Sequence, residues 1–396
     1  MKVKVLIADK FPEKYVEELK SFELDVEYNP KLGENDLPEA TKEQDILIVR
    51  STKVNADTIN TAKKLNLIIR AGAGVNNIDI PAANKRGIYI ANCPGKNSVA
   101  VAELTIGLMI ALDRRIPDNV IDFKNSKWNK AEYSKAEGLK GKTLGIIGVG
   151  NIGKEVAQRA IAMGMNVYGK DISRIEGEQI KDFAEMNQLL PLCDVISIHL
   201  PVTPETTKLF NKEMFGYMKP NTFLINTSRP GVIDEDAMLE AIKEKNIRVA
   251  LDVFNDEPEG KSGEVKSILQ DNPNIYVTHH IGASTNQAQN AVAEETINII
   301  KHYLHSGIID HWVNRAKLTD IKYQLVVKHF DKAGVLASIL QIISKGNINI
   351  EEIENLIFEG GVAACCTMKL MSPVNSEMLV QMRDNPDVIS VSHVSL

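Results

Sequence analysis

Leu144-Gly145-Ile146-Ile147-Gly148-Val149-Gly150-Asn151-Ile152-Gly153 is the stretch that decides the fold. Its apolar run reads as a buried strand, and three glycines spaced Gly-x-Gly-x-x-Gly open a helix. Gly148 permits the tight bend, Gly150 lets a pyrophosphate approach the backbone, and Gly153 lets helix and strand pack closely. The helix N-terminus turns free N–H groups and a partial positive charge towards the phosphates. Asp171 stands eighteen residues after Gly153, just past a strand expected from Asn166 to Tyr168. A carboxylate there accepts both ribose hydroxyls of NAD and repels the 2′-phosphate of NADP, a repulsion that Lys170 and Arg174 soften. The stretch therefore reads as a dinucleotide-binding βαβ unit with NAD as its cofactor.

Short apolar runs alternate with helical patterns on both sides of this unit. Upstream, Val3 to Ala8, Ile46 to Val49, Leu67 to Ala71 and Ile88 to Ala91 read as strands, separated by helical stretches at Pro12 to Ser21, Ala56 to Lys64 and Pro81 to Arg86. Downstream, strands are expected at Val195 to His199, Thr222 to Asn226, Val249 to Asp252 and Ile275 to Thr278. Strands separated by helices of about ten residues indicate parallel sheets covered on both faces. Two long helical runs, Ser98 to Arg114 and Asn286 to Leu304, bracket the second series. The pattern predicts two doubly wound α/β domains. Residues 1–97 and 286–315 form a discontinuous first domain, residues 98–285 form a Rossmann domain, and the cleft between them holds the ligands. A strand, helix, strand, strand, helix and strand then predict a separate βαββαβ module over 320–396.

Hydrophobic residues make up 44% of the 396 and charged residues 25%, the balance of a soluble globular protein. Lys+Arg number 46 against Asp+Glu 52, a formal charge of −6 with no long run of one sign. A basic nucleic-acid-binding stripe is missing, so that class is set aside. The N-terminus enters a strand without the apolar core of a signal peptide. The most apolar helical stretch, Val99 to Leu112, contains Glu103 and is too short for a bilayer, so no membrane partner is expected. Cys93, Cys193, Cys365 and Cys366 form no CxxC pair and no metal-ligand spacing, which predicts a reduced, cytoplasmic protein without a metal.

Three strands of the second series end in polar segments: Asn226 to Gly231, Asp252 to Pro258 and Thr278 to Thr285. Ligands of an open α/β sheet lie beyond the carboxyl ends of its strands, so each segment delivers side chains towards the dinucleotide. Arg229 offers a planar fork for a carboxylate and polarises an adjacent carbonyl. A histidine takes a hydroxyl proton while hydride leaves the same carbon. Glu257 accepts the imidazole N–H, fixes its tautomer and stabilises the imidazolium.

These residues resemble the D-isomer-specific 2-hydroxyacid dehydrogenases over essentially the whole chain, most specifically in LGIIGVGNIG, HLPVTPET from His199, LINTSRPGVID from Leu224, LDVFNDEP from Leu251 and HHIGAST from His279. The resemblance implies Arg229, Glu257 and His280 as the catalytic set. His280 is preferred because it precedes Ile281-Gly282; His279 stands where the family usually has Pro, and Pro230 replaces a usual Gly. The resemblance further implies that Asn151 and Ile152 meet the pyrophosphate, and that Leu200 lies along the adenosine. Thr227 and Ser228 then border the nicotinamide with Arg229, Asp252 holds its carboxamide, and Ile281, Gly282 and Ala283 close that end. In the first domain, Val49 to Thr52 and Arg70 to Asn77 match the substrate loops, with Arg50, Ser51, Ala73, Gly74 and Val75 as substrate contacts. Backbone N–H groups of the second loop suit a carboxylate, while Arg50 suits a phosphate. Asn76 stands where an acid is common and Ala73 where a Thr is common. The expected reaction is the NAD-dependent oxidation of a small D-2-hydroxy acid, with 3-phospho-D-glycerate, at the entry to serine biosynthesis, as the substrate. Rival readings are a glyoxylate or hydroxypyruvate reductase and an NAD-sensing co-regulator of the same fold. A homodimer or homotetramer is expected.

Residues from about 320 resemble an ACT domain, a module that often binds an amino acid between paired copies. His329 and Asn349 match the family's effector-binding positions and Asp331 replaces an Asn, so serine is the expected effector class. A dimerisation module without a ligand is the alternative.

Overall fold

The structure, a computed structural model, describes residues 2–172, 180–258, 263–316 and 321–396. Arg174, the middle of the Asn255 to Lys266 loop and residue 320 lie outside them. The chain divides into two compact units, Met1–Asn314 and Arg315–Leu396.

The first unit contains two parallel sheets. In one, β1 (Val3–Ile7), β2 (Leu24–Tyr28), β3 (Ile46–Val49), β4 (Leu67–Arg70) and β5 (Tyr89–Asn92) lie in the order β2-β1-β3-β4-β5. β1 pairs with β2 on one side and β3 on the other, so the winding reverses there. β3 is buried at all four positions because helices cover both faces. Ile46, Ile48 and Ile69 pack with Val16, Leu19, Ile297 and Ile300, while Leu47, Val49 and Ile68 pack with Ile59 and Ala83. β2 is not among the strands expected from the sequence, although its period-2 alternation marks it. Its Leu-Asp-Val-Glu-Tyr alternation belongs to an edge strand with one face towards water.

The other sheet comprises β6 (Thr143–Ile147), β7 (Asn166–Lys170), β8 (Lys181–Asp182), β9 (Val195–Ile198), β10 (Phe223–Asn226), β11 (Arg248–Leu251) and β12 (Ile275–Val277), in the order β12-β11-β10-β9-β6-β7-β8. Its winding reverses between β6 and β9. The Ser98–Arg114 helix buries Ala102, Met109 and Leu112 against this sheet, beside Val156 and Ala160 of the Asn151–Ala162 helix. The Asn286–Ser306 helix packs instead on the first sheet. Thr285 caps it by accepting the Ala288 N–H at 3.1 Å, and Gly307 ends it in the left-handed region. The helix expected over Ala56 to Lys64 stops at Thr61, and helices Ile116–Lys124 and Lys130–Tyr133, unmarked in the sequence pattern, bury no residue.

The second unit holds an antiparallel sheet of β13 (Tyr323–Phe330), β14 (Ile350–Ile357), β15 (Ala363–Leu370) and β16 (Val388–Ser395), ordered β14-β15-β13-β16. With helices Val335–Lys345 and Ser376–Arg383 the chain order is βαββαβ. Leu325, Val327, Cys366 and Met368 from the sheet pack on Ile339, Ile343 and Met382 from the helices. Among the described residues no helix is long and apolar enough to cross a membrane.

Candidate active site

The turn after β6 is closed by contacts that only glycine permits. Gly148 has φ +91°, and a Cβ there would stand 2.6 Å from the His199 carbonyl oxygen. A Cβ at Gly153 would stand 2.3 Å from the Gly148 carbonyl oxygen. At Gly150 it would meet nothing within 4 Å among the described residues, which leaves open space over the turn on their side. No side chain caps the Asn151–Ala162 helix, which leaves its first N–H groups for an anion. Asp171 follows β7; its Oδ2 accepts the Val149 N–H at 2.5 Å and its Oδ1 the Ile172 N–H at 2.7 Å. The carboxylate thus lies alongside the turn, where an acceptor suits ribose hydroxyls. Gly148, Gly150, Asn151, Ile152, Gly153 and Asp171 together fit the pyrophosphate and ribose of NAD.

The loops after β10, β11 and β12 carry Arg229, Glu257 and His280. Asn226, buried at the end of β10, donates from Nδ2 to the Arg229 carbonyl at 2.9 Å. Its Oδ1 accepts the Ser228 N–H at 3.0 Å and the Ser228 hydroxyl at 2.7 Å, which fixes the loop. Before Pro230, Arg229 is extended (φ −144°, ψ 143°), as that ring requires. Gly74 lies opposite, so close that a Cβ on it would be 2.4 Å from Arg229 Nη2. Burial lowers the Arg229 pKa, and Glu257 counters the effect.

Beyond β11, the buried Asp252 carboxylate accepts from the Thr278 hydroxyl at 2.5 Å and from the N–H groups of Ile281 at 2.9 Å and Gly282 at 2.8 Å. These bonds hold the loop in which His280 takes φ +51°. His280 Nδ1 stands 2.8 Å from Glu257 Oε2, and Glu257 Oε1 accepts the Phe254 N–H at 2.9 Å. The bond to Glu257 raises the His280 pKa against the opposing effect of burial. Burial pushes Glu257 up, but bonds from His280 and Phe254 outweigh it and hold the carboxyl below its ordinary range. An ionised Glu257 keeps Nδ1 a donor and leaves Nε2 as the exchangeable nitrogen. The neighbouring His279 makes no hydrogen bond among the described residues.

Two adjoining cavities of about 420 and 390 Å³ share Arg70, Asn97, His280 and Ala283 as walls. Ala73, Gly74, Val75, Ile152, Leu200, Thr227, Ser228, Arg229, Asp252 and Gly282 line the smaller one. Arg50, Ser51 and Asp9 line the larger. Backbone N–H groups of Ala73, Gly74 and Val75 have no acceptor among the described residues, a concavity suited to a carboxylate. Asp9 Oδ2 accepts the N–H groups of Arg50, Ser51 and Thr52 at 2.8, 2.9 and 2.9 Å. Burial raises the Asp9 pKa, yet the bonds from Thr52, Arg50 and Ser51 win and lower it.

Over 374 residues, 91% of this chain and 68% of its relative, the sequence is 37% identical to the D-3-phosphoglycerate dehydrogenase of Methanocaldococcus jannaschii. Residues 106–282 match the model of the D-isomer specific 2-hydroxyacid dehydrogenase, NAD binding domain. The chain belongs to the D-isomer specific 2-hydroxyacid dehydrogenases. This dehydrogenase is also 41% identical to the hydroxypyruvate reductase of Thermotoga maritima over 271 residues, 68% of this chain and 88% of that one. The NAD+-bound 3-phosphoglycerate dehydrogenase of Entamoeba histolytica superposes with a TM-score of 0.67 at 28% identity, over 80% of this chain and 100% of that chain. The protein is an NAD-dependent oxidoreductase.

Sequence reading gave no role to four residues that shape the site of this dehydrogenase: Asp9, Arg70, His199 and Asn226. Arg70 points back over Gly72, with its Nε buried and unpartnered among the described residues. Burial, then Arg229 and Arg50, push its pKa down to about 10. The His199 ring is neutral, its pKa lowered to about 3 by burial, with Nε2 2.8 Å from Ser197 Oγ and Nδ1 unpartnered among the described residues. Arg70 in a substrate loop, His199 at the head of HLPVTPET and Asn226 at the head of a polar strand-end segment each stood in a stretch the sequence singles out, whereas Asp9 did not.

In the second unit, His329 is buried, with Nδ1 2.8 Å from the Phe330 carbonyl oxygen and Nε2 3.2 Å from Asn355 Oδ1. Asn349 is exposed and donates to Glu351 Oε1 at 2.9 Å; Asp331 is exposed. None of the three hydrogen-bonds another, and the His329 ring ties β13 to its own sheet.

Proposed function

We propose that this dehydrogenase oxidises 3-phospho-D-glycerate to 3-phosphohydroxypyruvate. When bound, NAD supplies the hydride acceptor. Arg229 and the N–H groups of Ala73, Gly74 and Val75 hold the substrate carboxylate, and the Arg229 fork also polarises the oxygen at C2. His280 Nε2 takes the hydroxyl proton as the C2 hydride departs and the C–O bond becomes a carbonyl; the proton returns by the same route in reduction. Glu257, ionised and 2.8 Å from Nδ1, stabilises the imidazolium so formed.

One observation supports the phosphate: Arg50 and Arg70 line the larger cavity next to His280, and neither guanidinium has an ion-pair or hydrogen-bond partner among the described residues. The one carboxylate in that lining, Asp9, is bonded to backbone N–H groups rather than to either guanidinium, so the cations outnumber it and suit an anionic ligand of high charge. Replacing Arg50 by Ala is expected to raise KM for phosphohydroxypyruvate by roughly 10- to 100-fold and to leave turnover of hydroxypyruvate almost unchanged. Equal losses for both substrates mean that Arg50 supports the fold or the carboxylate, which removes the phosphate assignment. The second reading, a reductase of hydroxypyruvate, is favoured by the identity to the Thermotoga maritima relative; it requires Arg50→Ala to spare both substrates.

A further inference from the structure

The winding of the first sheet reverses between β1 and β3, and the crevice beyond such a reversal point is where an open α/β sheet places a ligand. Three strands that are neighbours in space each deliver a cation to that crevice. Lys10 follows the end of β1, Arg50 follows β3, and Arg70 is the last residue of β4. All three line the same cavity of about 420 Å³.

We propose that Lys10 forms the β1 side of the phosphate subsite and is a specificity-determining residue for the phosphorylated substrate. The proposal rests on the phosphoglycerate reading above. The Lys10 ammonium is exposed and makes no ion pair or hydrogen bond among the described residues. Phe11 and Pro12, directly after it, also line the cavity, so the chain at Lys10 runs along the mouth. Its position relative to Arg50 is fixed: Asp9, the preceding residue, grips the N–H groups of Arg50, Ser51 and Thr52. The Asp9 carboxylate is thereby occupied with backbone and does not pair with Lys10. Net of Asp9, the three strand ends carry two positive charges, which matches a phosphate monoester of nearly two negative charges. A compact ammonium on a flexible stem suits a point contact to one phosphate oxygen, while the two guanidinium groups supply planar forks.

The test compares K10M and K10R with the unmodified protein in steady-state reduction of phosphohydroxypyruvate and of hydroxypyruvate, with inorganic phosphate as a competing probe. K10M is expected to raise KM for phosphohydroxypyruvate about tenfold at unchanged kcat. It should weaken inhibition by inorganic phosphate to a similar degree and leave KM for hydroxypyruvate unchanged. K10R should restore both phosphate-dependent values, which a merely structural lysine would not do. If K10M leaves KM for phosphohydroxypyruvate and phosphate inhibition unchanged, Lys10 has no part in the subsite and the proposal is overturned. If the unmodified protein turns over both substrates equally well, the phosphoglycerate reading fails on its own, while the phosphate-inhibition arm still decides Lys10.

Discussion

His280 occupies φ +51°, in the left-handed region that few residues other than Gly visit and that Asn, Asp and His enter most readily. Three hydrogen bonds from its loop to Asp252 hold it there, which aims Nδ1 at Glu257. Because Asn tolerates that backbone, His280→Asn isolates the loss of the imidazole from the loss of loop geometry. Turnover is expected to fall by roughly 10²- to 10⁴-fold while NADH binding, read by fluorescence titration, stays nearly unchanged. The pH profile follows from the direction of the shift at His280. Oxidation needs the neutral imidazole, and Glu257 raises its pKa above the ordinary 6.5, so the acid limb of kcat/KM lies above that value. Glu257→Gln removes the stabilising charge and should move that limb to lower pH; an unmoved limb would take Glu257 out of the role. At this scale the sequence showed Arg229, Glu257 and His280 as polar residues at strand ends. It did not show Asp9 or Asn226, because their work is done through hydrogen bonds to backbone that only the folded loops bring near.

The β6 turn shows how an element can be read almost completely from its residues. The reason is steric: Gly148 and Gly153 meet backbone oxygens at 2.6 and 2.3 Å from a Cβ position, and those oxygens cannot swing aside. Gly153→Ala is therefore expected to cost about 1–3 kcal/mol of stability by thermal unfolding, and to abolish or sharply weaken NADH binding. Retained affinity would show that the turn has room that the geometry denies. Strands β3 and β4 were equally legible, since burial on both faces leaves the apolar runs Ile46 to Val49 and Leu67 to Ile69. β2 escaped a reading built on continuous apolar runs, because it is half exposed and alternates Asp25 and Glu27 with apolar residues. The Ile116–Lys124 helix was not legible either. Its Ile116, Val120 and Phe123 recur at helical spacing, but the stripe they form is exposed rather than turned to a core.

At the scale of the whole molecule, a chain of net charge −6 gathers at one crevice three cations, Lys10, Arg50 and Arg70, that have no ion-pair partner among the described residues. Such a concentration attracts an anionic substrate against the overall charge and makes its capture sensitive to salt. The three-sheet architecture could be read from the alternation of apolar runs, whereas the effector residues of the C-terminal unit could not be judged that way. Whether His329 faces a ligand or its own sheet depends on Phe330 and Asn355, which position alone does not reveal. The central claim is that the larger cavity selects a phosphorylated D-2-hydroxy acid. Its most direct test is kcat/KM of the unmodified protein with NADH for phosphohydroxypyruvate against hydroxypyruvate at low ionic strength. A preference of about 100-fold or more for the phosphorylated acid, shrinking as salt is added, is the expected result. Equal values, or a preference for hydroxypyruvate, would contradict the account.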